Sequence, residues 1–242
     1  RIELERHQAE LQALQLQINP HFLYNTLETI NCYAIVQDSD EITEIVDAMA
    51  YMLRYAISAN LEEVTIVNEL NHVRNFLIIL KHRTGKEINF DAVISPSLLL
   101  QHTVKLTLQP IVENAFQHAF KDGLEEHHWI RVDGCVEGDQ LHIIVEDNGV
   151  GMTEEQLKRV NEQLVHSAYQ VKQSTDHVLH RGGIGLINVH RRIQMVFGDA
   201  YGLRVESELS VGTKVIMVMP NLNRRSAKEN TNRQKDSPLP GN

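Results

Sequence analysis

The stretch Glu146-Asp147-Asn148-Gly149-Val150-Gly151-Met152 directly follows an apolar, strand-like run beginning at Leu141. Asn148-Gly149 is by itself a favoured hairpin dipeptide, since both residue types tolerate positive φ. A hairpin leaves the second glycine unexplained, two residues on and beside an acid at the strand's end. Asp147 can accept a hydrogen bond from an exocyclic amine, and Gly149 and Gly151 let backbone approach a flat ring. The segment reads as a strand running into a ligand-facing loop.

Strands and helices alternate on both sides of it. Ile88, Phe90 and Ala92 alternate as in a strand, and Thr103 to Phe120 reads as a helix with Pro110 inside it. Trp129 to Val136 and Leu141 to Glu146 are strands joined by the turn Glu137-Gly138-Asp139-Gln140. Helices are expected from Thr153 to Val165 and from Gly185 to Phe197. Strands from Leu203 to Glu208 and from Lys214 to Met219 flank Ser210-Val211-Gly212. Mixed elements of this kind build an α/β sandwich.

Three more segments here carry chemistry. Within Leu108 to Phe120, Glu113, Asn114, Gln117 and His118 fall at helical spacings and form a polar edge beside an apolar face. A solvated helix edge accounts for them equally well. In Arg181-Gly182-Gly183-Ile184-Gly185-Leu186-Ile187-Asn188, glycines precede a helix whose free N–H groups can seat phosphate. As a dinucleotide fingerprint this segment fails, because the third glycine and the preceding strand are missing. Gly212-Thr213, a turn into the last strand, means nothing alone. Neither a P-loop nor a Ser/Thr/Tyr protein-kinase signature occurs.

The first eighty-odd residues are helical throughout. Leu4, Leu11 and Ile18 recur every seven residues, with Leu14 and His21 on the companion position, as in a coiled-coil seam. Pro20 removes a donor and crowds the carbonyl of Leu16, so a kink is expected there. A second helix spans Asp40 to Ser58, with Asp38 and Glu41 as its capping box. Its apolar stripe is Ile42, Ile45, Val46, Met49, Met52, Leu53, Ala56 and Ile57. A third, from Asn68 to Arg83, carries Leu70, Val73, Phe76, Leu77 and Leu80 and ends at Gly85. That is too much apolar face for one hairpin, so a bundle completed by a second copy is expected.

Composition narrows the classes. A hydrophobic share of 42% and a charged share of 23% suit a globular protein of two small domains. A net charge of −9 disfavours nucleic acid as a partner. Cys32 and Cys135 give neither a disulfide framework nor metal-ligand spacing, which suits a reducing compartment. Most of the 13 histidines, His127 and His128 included, read as solvated surface. No apolar run approaches bilayer-spanning length. The chain starts at Arg1, inside a helical pattern, as expected of the soluble end of something longer. Beyond Asn221, Arg224, Arg225, Lys228, Arg233 and Lys235 stand against Glu229 and Asp236, a net of +3 with few apolar residues, so disorder is expected.

Taken in order, the four chemical segments resemble the N, G1, G2 and GT segments of the GHKL ATP-binding fold. Gyrase-type topoisomerases, a heat-shock chaperone class, mismatch-repair proteins and histidine kinases share that fold. The resemblance implies that Asp147 holds the adenine amine and that Asn114 ligates Mg²⁺ at the phosphates of ATP. It also implies that Gly149, Gly151, Gly183, Gly185 and Leu186 shape the pocket and phosphate loop. Thr213 would lie near the adenine and His118 near the phosphates, with residues 166 to 182 as a mobile lid. Gln17-Ile18-Asn19-Pro20-His21-Phe22-Leu23-Tyr24-Asn25-Thr26-Leu27 resembles the phosphoacceptor box of sensor histidine kinases of the LytS/YesM type. With Met52-Leu53-Arg54-Tyr55 and the third helix, that likeness covers residues from about 10 to 220.

The fold class expected is therefore α+β: a helical dimerisation and phosphoacceptor domain over 1–85, a GHKL (Bergerat-type) α/β sandwich over 86–220, and a tail over 221–242. A neutral imidazole on an exposed helix is a competent nucleophile toward a γ-phosphoryl group, so His21 is the expected acceptor. Many histidine kinases carry an acid just after the histidine. Here Phe22 stands in that place, and Glu113 is the candidate base. The implied partners are a second copy of the chain and the receiver domain of a response regulator. A membrane anchor is expected in an N-terminal part absent here, which makes this the cytoplasmic domain of a bacterial membrane protein. Two rivals stand beside this reading: a GHKL ATPase without phosphoacceptor activity, and a non-catalytic dimeric scaffold.

Overall fold

The computed structural model describes residues 20–57, 63–120, 123–166 and 184–222. The heptad residues Leu4, Leu11, Leu14 and Ile18, with the helix and the kink expected around Pro20, most of the expected lid and the tail beyond Leu222, lie outside the described residues.

Helices α1 (Pro20–Val36) and α2 (Asp40–Ile57) form a hairpin joined by a three-residue turn. Asn31 Nδ2 donates to Asp47 Oδ1 across it at 3.2 Å. The Asp38–Glu41 capping box does not form. Asp38 turns the chain with φ of 50°, outside the extended backbone an N-cap needs, and α2 starts after Ser39. Only Ala34 of α1 and Val46 and Ala48 of α2 are buried. Phe22, Ile30, Tyr33, Ile35 and Val36 of α1, and Ile42 and Met49 of α2, stay exposed.

Strand β1 (Glu63–Thr65) leads into α3 (Ile66–Thr84), where Thr65 N donates to Asn68 Oδ1 at 3.1 Å. Gly85 ends α3 with φ of 68°, its N–H donating to Lys81 O. Next come β2 (Asn89–Val93), the single turn α4 (Pro96–Leu99) and β3 (His102–Val104), which pairs antiparallel with β1. The expected helix from Thr103 starts later, as α5 (Leu108–Ala119). The β-branched Thr103 and Val104 are buried in the β1–β3 ribbon, and Leu106 with φ of 57° breaks the chain before the helix. Pro110 is then the third helical residue, where a missing N–H costs nothing.

Strands β4 (Trp129–Glu137) and β5 (Gln140–Asp147) precede helices α6 (Glu154–His166) and α7 (Ile184–Phe197). Strands β6 (Gly202–Glu208) and β7 (Gly212–Pro220) close the fold. The main sheet runs β2-β4-β5-β7-β6, with β2 parallel to β4 and every other pair antiparallel. Along β5 the residues Leu141, Ile143, Val145 and Asp147 share one face by the two-residue period, and all four are buried. That face meets Ile111, Val112 and Ala115 of α5, Leu164 of α6 and Leu186, Val189 and Ile193 of α7 in one core. Ile66, Leu70 and Val73 of α3 enter the same core. The helix expected as the bundle's third member therefore also forms a wall of the sandwich.

Three histidines depart from the solvated reading: His72, His142 and His190 are buried. His190 Nδ1 accepts from Leu203 N at 2.9 Å, tying α7 to β6. The β4–β5 pairing sets Cys135 opposite His142, and with Glu137 their donor atoms lie within 4.8 Å of one another, a proximity that linear spacing hides.

The loop after β5 is clamped by backbone on two sides. A Cβ at Gly149 would stand 2.3 Å from Ala119 Cβ, and one at Gly151 would stand 1.9 Å from Glu208 O, with φ of 64° besides. Val150 N donates to Ala119 O at 2.9 Å, and Ser210 N donates to Val150 O at 2.8 Å. These two glycines are required by close approach of α5 and of the β6–β7 turn. Gly151→Ala should therefore lose about 3 kcal/mol or more of stability from strain and overlap together, read from urea unfolding midpoints. Wild-type stability in that variant would contradict this packing.

Candidate functional site

Asp147 ends β5 at 5% exposure with its side chain on the helix-covered face. Its Oδ1 accepts from Gly149 N at 2.9 Å, and the Thr213 backbone supplies a second hydrogen bond. Burial pushes its carboxyl up to about 6, against the opposing pull of those two bonds. A desolvated carboxylate held by two backbone N–H groups keeps lone pairs for a further donor.

The cavity it faces holds about 340 Å³. Asn114, His118, Asp147, Gly151, Leu186 and Thr213 all line it, brought together from α5, β5, the loop after β5, α7 and β7. Val145, Val215, Ile111, Ala115 and Met152 supply apolar walls, as a flat heteroaromatic ring requires. Thr213 is oriented by Ser207, the two hydroxyl oxygens being 2.9 Å apart. A larger open groove of about 740 Å³ runs between α3 and the β2–β4 edge, but none of the expected site residues lines it.

The other expected residues lie apart from the cavity lining. Glu113 is half-buried beside Asn114, its carboxylate accepting from Gln109 Nε2 at 3.1 Å and Gln117 Nε2 at 3.0 Å. Gly149 packs under the cavity floor against Ala119 and does not line it. Gly185 is outside the lining too, and nothing lies within 4 Å of a Cβ built there. Gly183 falls outside the described residues. Helix α6 contributes Gln156, Arg159 and Gln163 to the lining, which the sequence reading missed. Their spacing of three and four on an amphipathic helix was the available signal.

His21 stands in the first turn of α1, exposed, on the helical hairpin. Asn25 Nδ2 lies one turn on, 3.3 Å from His21 Nδ1 and 3.4 Å from Nε2. An amide nitrogen donates, so Asn25 Nδ2 gives its hydrogen to the ring nitrogen that carries the lone pair. Arg54 of α2 lies over the ring of Tyr24, 5.9 Å from its centre, which ties the same turn of α1 to α2. Among the described residues, no helix is long and apolar enough to cross a membrane.

Two family models match successive parts of the chain. Residues 9–88 match the family model described as histidine kinase. Residues 102–223 match the model described as histidine kinase-, DNA gyrase B-, and HSP90-like ATPase. Sensor histidine kinase YesM of Bacillus subtilis is 35% identical over 88% of this chain and 33% of its own. Sensor histidine kinase BtsS of Escherichia coli K12 is 30% identical over 88% of this chain and 34% of its own. Sensor protein kinase HptS of Staphylococcus aureus RF122 is 28% identical over 87% of this chain and 38% of its own. The chain thus spans about a third of the length of these relatives. An ATP-binding sandwich of this family behind a helical hairpin with an exposed histidine, both halves matched by their own models, makes the chain a member of the sensor histidine kinases of the LytS/YesM type.

Proposed function

We propose that the chain transfers the γ-phosphoryl group of ATP to His21, as a homodimer, and passes it on to an aspartate in the receiver domain of a response regulator. The observation that carries this is the convergence of Asn114, His118, Asp147 and Thr213 on one apolar-walled cavity, in a chain whose exposed helix presents His21.

In this reading Asp147 accepts the adenine amine and the apolar walls hold the ring. His118 and Arg159, which also line the cavity, meet the phosphates. Asn114 offers a hard carboxamide oxygen beside His118, a donor that fits Mg²⁺, which keeps most of its shell for water and phosphate. When bound, that ion neutralises charge on the phosphate oxygens. A ring nitrogen of His21 attacks in line through its lone pair. An N–P bond forms, the bond from phosphorus to the bridging oxygen breaks, and ADP leaves. Asn25 steadies the ring through its side-chain amide, and Glu113 takes the proton that the imidazolium sheds. Neutral imidazole attacks through its lone pair, so Phe22 in place of an acid does not block the step.

Support for dimerisation comes from the apolar side chains left exposed on α1 and α2, which one hairpin cannot cover. In the whole protein, an upstream membrane-spanning part would hold this region in the cytoplasm.

Incubation with Mg²⁺ and γ-labelled ATP should yield protein-bound label that is acid-labile and alkali-stable, and His21→Gln should carry none. Undiminished label in that variant would rule His21 out, and free phosphate without phosphoprotein would favour an ATPase.

Asp147→Asn should abolish nucleotide binding, measured by titration with a fluorescent ATP analogue, while the chain stays folded. The folded-state carboxyl lies at about 6 rather than 3.8, so the folded state holds this proton more tightly than the unfolded chain. Its ionisation therefore opposes folding at all pH above about 6. That cost shrinks as pH falls from there, and it vanishes below the unfolded value. In the nucleotide-free protein, Asp147→Asn should thus be as stable as wild type at pH 8 or more stable, by up to about 3 kcal/mol. A marked loss of stability would contradict the buried-charge account. Nucleotide affinity of wild type should weaken as pH drops through about 6.

A further inference from the structure

The turn leading into α5 is held from three other helices. Glu69, from the first turns of α3, is 1% exposed, and its carboxylate sits at the N-terminus of α5. Oε1 accepts from Leu106 N, and Oε2 accepts from Thr107 N and Leu108 N, each at 2.8 Å. A carboxylate on three free N–H groups at a helix start is favoured by both the bonds and the macrodipole. Tyr55, near the end of α2, donates its hydroxyl to Glu69 Oε1 at 2.5 Å. On the far side, Arg192 of α7 donates to Lys105 O at 3.1 Å and to Leu106 O at 2.7 Å.

A second route runs from the same tyrosine. Its ring stacks on His72 of α3 with centroids 4.6 Å apart, and Lys105 Nζ lies 5.2 Å from its centre. His72 is 2% exposed and hydrogen-bonds Gln109 of α5, whose Nε2 donates to Glu113. Burial lowers the His72 pKa, so the ring is neutral at pH 7 and serves this contact without carrying charge. Arg54, next to Tyr55, faces the other way onto Tyr24, one turn beyond His21. The Met52-Leu53-Arg54-Tyr55 motif thus touches the phosphoacceptor helix with one residue and the nucleotide domain with the next.

We propose that Tyr55, Glu69 and His72 are positioning residues that set α5, with Asn114 and Glu113, in register with the hairpin carrying His21. A shift of α2 then moves the start of α5, because Glu69 grips the 106–108 amides, while Arg192 from the middle of α7 holds the carbonyls of Lys105 and Leu106. Leu106 at φ of 57° is the strained point that this grip maintains. The inference rests on the phosphotransfer reading.

The test is Tyr55→Phe, which keeps the ring on His72 and under Lys105 and removes only the hydroxyl. In the whole chain, kcat for label transfer to His21 should fall about tenfold or more, as misplacement of reacting groups does. KM for ATP and the dissociation constant for the fluorescent analogue should stay within about twofold of wild type. The amides of residues 106–108 should exchange faster with deuterium, while those of β4 and β5 keep wild-type protection. Glu69→Gln, which keeps the shape and loses the charge, should show the same split. Wild-type kcat in Tyr55→Phe, or an equal fall in kcat and in nucleotide affinity, would overturn the link and leave the reading of His21 intact. A wild type that binds the analogue but forms no phosphohistidine would overturn that reading, and the link with it.

Discussion

The carboxylate of Glu69 stands where the two halves of the structure meet, and its burial constrains both. An ion taken from water at that depth is tolerated only when every lone-pair direction finds a donor. Leu106, Thr107 and Leu108 give backbone N–H groups, and Tyr55 gives a hydroxyl. Remove the acid, and three amides at the start of α5 lose their acceptor in a dry place, at about 1–3 kcal/mol for each donor left unsatisfied. The helix anchored this way is the one whose opposite edge carries Asn114 and His118. Anchoring α5 at its first turn fixes where that edge meets the floor formed by β5.

The other end of α5 is fixed by sterics rather than charge. Gly149 lets the loop after β5 lie against Ala119, and Val150 N donates to Ala119 O. Gly151 lets the same loop take the β6–β7 turn, whose Ser210 N donates to Val150 O. Three segments distant in sequence thereby become one rigid rim, and Asp147 and Thr213 are set within it. The chemistry asked of the glycines and the packing asked of them coincide at Gly151, which lines the cavity. At Gly149, packing alone accounts for the residue.

Periodicity exposed most of the framework. The alternation in β4 and β5 was readable because it follows from burying one face, and the Gly85 stop of α3 because its φ of 68° suits glycine. The start of α5 was not, since Thr103 to Phe120 keeps a helical pattern through β3 and the Leu106 turn. Only the β1–β3 pairing, a contact across some forty residues, distinguishes them. Asp147, Asn114, His118 and Thr213 were legible as ordered motifs, whereas Gln156, Arg159 and Gln163 looked like an ordinary solvated helix face. Glu69, His72 and Tyr55 left no signal as a group, because charge, ring and hydroxyl come from separate places on two helices. What joins them is the β1–β3 ribbon, which lays the start of α3 beside the start of α5.

If the pocket and the exposed imidazole are two parts of one reaction, the phosphoryl group must end on a nitrogen of α1. The direct measurement is peptide mass spectrometry of the intact chain after exposure to Mg²⁺ and ATP, with proteolysis kept alkaline so that a phosphoramidate survives. The account predicts one phosphoryl group localised by fragmentation to His21 and lost on brief acid treatment. A chain that consumes ATP and remains unmodified, or one phosphorylated on another residue, would contradict it.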